Sequence, residues 1–196
     1  GHWLIPYKEK KSHQMRVSWE KSSFLVMDFE GSLKKGIREA GFIYIVNGKI
    51  ENAIEISGNL MTKEELEKSL IELFSKNKFK QPLVYVAHHH SVEHNLIKAI
   101  MPYPAIGESG QRLQWGPWLD TKIIYSRLYP TEKELSLSKL AKKFDLFEEL
   151  ENYAEIYCNH KKQFFHSALF DSIACFLLLK RVSEKINLSK LLIWAS

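Results

Sequence analysis

Apolar residues recur along this chain with two different periods, and the switches between them mark out the elements. Phe24-Leu25-Val26-Met27 is an unbroken apolar run, as expected of a strand buried on both faces. Ala40 to Val46 is rich in β-branched and aromatic residues. Asn47-Gly48 follows, and from Lys49 to Ile56 the apolar positions Ile50, Ile54 and Ile56 fall on one side. Asn-Gly between two such runs predicts a hairpin. From Met61 to Ser75 the period becomes helical, with Leu66, Leu70, Leu73 and Phe74 on one stripe. Thr62 and Glu65 have the spacing of a capping box.

The same reading continues to the end of the chain. Lys76 to Pro82 reads as a turn, and Leu83 to Ala87 as a second buried strand. Ser91 is the expected cap of a helix reaching Ile100, with Val92, Leu96 and Ile100 inward. Prolines and glycines over 102–117 predict a long loop, after which Trp118 to Asp120 resumes order. Helices are expected over Thr121 to Leu128, ended by Pro130, over Leu135 to Phe144, and over Ala168 to about Glu184. Leu146 to Lys162 is ambiguous, and Leu188 to Trp194 is an apolar tail expected to pack back. Strand, hairpin, helix, strand and then helices predict an α/β domain with a mixed β-sheet flanked by α-helices. It is expected over 22–185, with an N-terminal extension over 1–21 and a tail over 186–196.

Composition narrows the classes without choosing a function. The chain has 196 residues, 45% hydrophobic and 26% charged, which suits one globular domain and excludes disorder and collagen-like sequence. No apolar stretch approaches the roughly 18 residues a membrane span needs, so no membrane role is expected. GHWLIPYKEKK has no signal-peptide character, and Gly1-His2 reads as a cloning remnant. A cytoplasmic setting is the expectation. Cys158 and Cys175 are not in metal spacing and read as free thiols. A net charge of +5 is compatible with a nucleic-acid partner.

The chemistry lies in the acids. Asp28 and Glu30, in FLVMDFEGS, are two apart on an extended chain and so leave it on one face. Phe29 points the other way, and Gly31-Ser32 leave room for a ligand. Two adjacent carboxylates that both stay ionised usually share a cation. Without further support such a pair is more often a solvated strand end. His88-His89-His90 and His94 crowd the next strand's end, and His90 and His94 could share a helix face as zinc ligands. Glu93 lies in the first turn of that helix. Asp171 sits in an apolar helix, where it needs a partner or water. His166, five residues earlier, is rotated by about 140° on a regular helix. The two converge best if His166 precedes the helix.

Taken together, D-x-E on a first strand, an acid after a strand ending in Ala-His, and H-x4-D at a final helix resemble the DEDDh exonucleases. That family includes the proofreading subunit of bacterial replicative polymerase, ribonuclease T and oligoribonuclease. The resemblance extends to GIREAGFIYIVNGKI, MTKEELEKSLIELF, LVYVAHHHSVEHNLI, WLDTKIIYSRLYP, LSLSKLAKKFDL and HSALFDSIACFLLL, over residues 22 to 182. It implies a ribonuclease-H-like fold and 3′–5′ cleavage of single-stranded DNA or RNA to nucleoside 5′-monophosphates. Two Mg²⁺ or Mn²⁺ ions are implied, with Asp28, Glu30, Glu93 and Asp171 as ligands and His166 as general base. The sequence departs from the family in its second motif, where Glu93 replaces the common Asp and His89 the common Asn.

Phe29, Gly31, Ser32, His89 and Phe165 are the expected substrate contacts. Phe164, Trp115 and Trp118 are further candidates for stacking, although the tryptophans more often read as ordinary core. Leu33 is a candidate wedge, and Lys34, Lys35, Arg38 and Lys122 are candidate phosphate contacts. Two other readings stay open. One is a catalytically weakened module that binds nucleic acid or protein; the other is a metal-dependent hydrolase of a different kind on a related fold. A homodimer or a fused partner is compatible with any of them.

Overall fold

A computed structural model describes residues 15–74, 83–106 and 109–194. Its centre is β1 (Ser23–Ser32), followed by β2 (Gly36–Val46) and β3 (Lys49–Ile56). Helix α1 (Lys63–Phe74), strand β4 (Leu83–Ala87) and helix α2 (His90–Ile100) come next. A small pair, β5 (Ala105–Ile106) and β6 (Arg112–Leu113), stands within the expected long loop. β7 (Trp118–Asp120) leads into α3 (Thr121–Leu128), α4 (Leu137–Lys143), α5 (Phe147–Tyr157) and α6 (Ala168–Val182). Short 3₁₀ turns lie at His160–Lys162 and Leu188–Leu191.

The main sheet has the order β3-β2-β1-β4-β7. β1 is antiparallel to β2 and parallel to β4, and β7 is parallel to β4. This is the mixed sheet flanked by helices that the patterning predicts. The Asn47-Gly48 hairpin forms with both residues at positive φ, 54° and 75°, as a type I′ turn requires. Thr62 Oγ1 accepts the Glu65 N–H at 3.1 Å, which is the capping contact expected from the spacing.

β1 separates two cores by the period of two. Phe24 and Val26 face a core built with α3, α4, α5 and α6. Leu25, Met27 and Phe29 face another built with α1 and α2. Asp28 and Glu30 continue the row begun by Phe24 and Val26. The acids therefore emerge where α6 crosses the sheet.

Several boundaries differ from the sequence reading. β1 runs to Ser32 and forms a hairpin with β2 around Leu33–Lys35, so Asp28 and Glu30 lie inside a paired strand rather than at its end. Pairing with β2 extends the strand past its apolar run. Ser91 does not cap α2; His89 does, in a left-handed conformation with no side-chain capping bond. The ambiguous segment forms α5 and a 3₁₀ turn, because Leu150 and Ala154 bury against the α6 core. The expected turn over 76–82 lies outside the described residues.

The described part of the N-terminal extension is docked. Met15, Val17 and Trp19 are buried, and Val17 N–H donates to Ser189 Oγ at 2.7 Å. Near the C-terminus, Trp118 and Ile193 exchange two backbone hydrogen bonds. Cys158 and Cys175 are buried free thiols. Among the described residues, no helix is long and apolar enough to cross a membrane.

Candidate active site

The approach of α6 to the sheet depends on one glycine. Gly41 is the β2 partner of Asp28. A Cβ built on it would lie 2.4 Å from both Cα and N of Leu169. Ser172 Oγ donates to Gly41 O at 2.9 Å and fixes the register of helix on strand. With the first turn of α6 this close, Asp171 reaches the acids of β1. Ligand atoms of Glu30, His166 and Asp171 all lie within 4.8 Å of one another. No other trio of metal-ligating side chains that close occurs among the described residues.

Asp28 lies under this group. Its Oδ2 is buried with no hydrogen-bond partner. Burial first, then the negative charges of Asp171, Glu93 and Glu30, push its pKa well above the usual carboxylate value. Glu93 reaches β1 from α2 and is 5% exposed. Burial drives it up to about 8, although backbone N–H groups, including that of Phe29, favour its charged form. Asp171 is 6% exposed and is raised to about 7, again mainly by burial, with Glu30 adding to the effect. Glu30 is raised by burial and lowered by His166 and Arg38. Four carboxylates thus share one region, and burial raises the pKa of each.

His166 lies on the turn before α6 rather than in it. Its φ is 73°, its side chain is exposed, and its N–H donates to Asp171 Oδ1 at 3.1 Å. That position brings the two residues together despite their spacing of five.

The histidine cluster after β4 serves other ends. His88 is clasped between Thr121 Oγ1 at 2.7 Å and Leu135 O at 2.6 Å. Burial lowers its pKa to about 4, which keeps it neutral. His90 Nδ1 pairs with Asp120 at 2.7 Å. The rings of His90 and His94 both approach Trp118, with centroids at 5.9 and 5.3 Å. The zinc alternative finds no ligand set here.

Asp120 is the residue that the sequence reading passed over. It caps α3 through the N–H groups of Lys122 and Ile123, and it also receives those of His89 and His90. Burial works to raise its pKa, but the His90 side chain and these N–H groups outweigh it and hold it at about 2. Asp120 therefore fixes the start of α2, and with it Glu93. An acid directly before a helical pattern is an N-cap signal, so the first half of this role was visible. The bonds to α2 were not.

Some expected substrate contacts move. Phe29 is in the core, edge-on to Phe42 at 5.6 Å, so it offers only backbone to a ligand. Trp115 and Trp118 are buried, which removes them as stacking surfaces. Gly31 and His89 are exposed. Ser32 Oγ accepts the Lys35 N–H at 3.0 Å and shapes the hairpin tip. Phe165 is half-buried against Phe147 and Phe170, whereas Phe164 is exposed. Leu33, Lys34, Lys35 and Arg38 are exposed, and Lys122 is half-buried.

No family model matches the chain, and no curated protein matches it. Solved structures do. Cell-death related nuclease 4 (CRN-4) is similar with a TM-score of 0.55 at 11% identity, over 86% of this chain and 66% of that one. This chain thus spans just under two thirds of that protein's length. The nuclease domain of 3′hExo, a DEDDh family member solved bound to rAMP, gives a TM-score of 0.55 at 11% identity, over 87% of this chain and 96% of that one. The mixed five-stranded sheet with its flanking helices is accordingly the ribonuclease-H-like fold of the DEDDh nucleases.

Proposed function

We propose that this chain is a metal-dependent 3′–5′ exonuclease acting on single-stranded DNA or RNA. The observation that carries the reading is Asp28 Oδ2, buried and unpartnered among Glu30, Glu93 and Asp171. A buried carboxylate oxygen without a donor is costly. Together with Glu30, Glu93 and Asp171, whose pKa values burial also raises, Asp28 forms a site suited to cations. Asp28, Glu30, Glu93 and Asp171 would hold two divalent ions, and an all-oxygen carboxylate set favours Mg²⁺ or Mn²⁺ over softer metals. Such ions supply charge neutralisation at a scissile phosphate and lower the pKa of water.

The remaining roles belong to the chain. His166 would take the proton from the attacking water, the task of a general base. Its exposed position on the turn leaves it free to meet a substrate. The Asp171 carboxylate, by accepting the His166 N–H, orients that turn while facing the metal region. Exposed Leu33 at the hairpin tip would meet the terminal base, and Phe164 offers a stacking face. Lys34, Lys35 and Arg38 would neutralise phosphates of the strand. Backbone at Phe29, Gly31 and Ser32, with His89 and Phe165, completes the proposed substrate surface. The products would be nucleoside 5′-monophosphates.

The test uses 5′-labelled single-stranded DNA and RNA of one sequence, incubated in Mn²⁺ or EDTA. A metal-dependent ladder shortening from the 3′ end is the expected result. Intact strands, with metal binding demonstrated, would transfer the reading to a nucleic-acid- or protein-binding module.

A further inference from the structure

Glu30 on β1 and Glu39 on β2 are directly opposite partners in the antiparallel pair. Like charges in that relationship repel. Glu39 is stabilised by two contacts that converge from the chain around His166. Its Oε1 accepts the N–H of Ala168, the first residue of α6, at 2.8 Å. Its Oε2 pairs with Lys162 Nζ at 2.9 Å, and Lys162 also reaches Glu55 Oε1 on β3 at 3.5 Å. Both partners of the main pair are largely shielded, with side chains 16% and 30% exposed.

The cap residue of α6, Ser167, makes no side-chain capping bond. A carboxylate from a neighbouring strand performs that task, and a negative charge suits a helix N-terminus. Lys162 and Ala168 bracket residues 163–167, so one carboxylate holds both ends of the turn that carries His166. Between the anchors, Ser167 N–H donates to Phe164 O at 3.2 Å, and His166 holds its left-handed φ of 73°. Left-handed backbone at a residue other than glycine persists only when its surroundings impose it.

We propose that Glu39 is a positioning residue, which with Lys162 clamps the 163–167 turn and so sets where His166 stands relative to Glu30 and Asp171. The assignment rests on the exonuclease reading for His166's role as base, but the clamp itself is a statement about the turn. Glu39→Gln keeps the side chain's shape and one acceptor while removing the charge shared by the two anchors. Lys162→Met releases one anchor, and Lys162→Arg retains it.

Two measurements test this on the full chain. In amide hydrogen exchange, Glu39→Gln and Lys162→Met are expected to lose protection over 164–168 with β1 and β4 unchanged, and Lys162→Arg is expected to keep it. Unaltered protection over 164–168 in Glu39→Gln overturns the clamp, whatever the activity. In turnover, Glu39→Gln is expected to lower kcat roughly 10- to 100-fold with KM little changed, a part of the 10²–10⁴ that a general base contributes. It is expected to cost nothing further in a His166→Ala background. An equal loss in that background overturns positioning through His166 and leaves a general structural role. A wild-type chain without metal-dependent turnover overturns the exonuclease reading instead, and the exchange experiment still decides the clamp.

Discussion

Asp28 and Gly41 face each other across the β1–β2 pair, and the missing side chain of the one brings α6 onto the acid of the other. A methyl at Gly41 would meet backbone atoms of Leu169 at 2.4 Å, and backbone at that distance cannot step aside as a flexible side chain can. Gly41→Ala is therefore expected to push α6 off the sheet. The cost should be about 1–3 kcal/mol or more, as for other overpacked cores, together with loss of metal binding. Chemical denaturation and metal-induced melting shifts check this; an unchanged midpoint would refute the close-approach argument.

The raised carboxylates give the metal-free protein a definite pH dependence. Asp171 at about 7 and Glu93 at about 8 bind protons more tightly in the folded chain than in the unfolded one. Their contribution to stability is fully present below the unfolded values near 4 and is lost as pH rises through 7 to 8. Metal-free Tm should therefore fall between pH 5 and pH 8.5 through these groups. Millimolar Mg²⁺ or Mn²⁺ should restore it at the upper end, because the cation replaces the protons. Melting curves in EDTA and in metal across that range would refute the site if metal gave no shift at pH 8.

Asp28→Asn removes a buried negative charge that has no donor at Oδ2. It is expected to leave the metal-free fold at least as stable as wild type at pH 8 while abolishing cleavage and the metal-induced shift. Asp171→Ala should likewise abolish cleavage with the fold intact. Full activity in either purified variant would end the two-metal proposal.

His166→Ala is expected to lower kcat by about 10²–10⁴, the range for a general base, with metal binding preserved. Its exposure means that the fold should not suffer. If kcat is untouched, or if metal binding disappears with it, His166 is not acting as a base alone.

Asp120→Asn tests the anchor of α2. The buried acid loses the charge behind its hydrogen bond with the His90 ring and weakens its bonds from four N–H groups, at a cost of roughly 2–4 kcal/mol. Its low pKa near 2 means that this stability is present above about pH 4 and is lost as pH falls through 2. The gap between the urea midpoints of the two proteins should be smaller at pH 3 than at pH 7; a constant gap would refute the assignment.

The order of elements was legible in the chain because each rule is local. A run of apolar residues at Phe24 to Met27, the Asn47-Gly48 turn and the Leu66, Leu70, Leu73 stripe depend on period and on backbone preference within a few residues. The common face of Asp28 and Glu30 follows from the pleat of any strand. Resemblance to a motif pattern then singled out Glu93, His166 and Asp171, which spacing alone would have left apart. What stayed hidden depends on approach between distant segments. That Gly41 admits α6, that Asp120 ties α3 to α2, and that Glu39 holds both ends of the His166 turn are matters of strand register and helix placement. So is the burial that removes Phe29, Trp115 and Trp118 from the ligand-facing surface. By itself the sequence determined the sheet, its helices and the acids' periodicity, because those are short-range. Only the tertiary structure decided which acids meet and how strongly their charges interact, because both depend on distances and desolvation created when remote parts of the chain pack together.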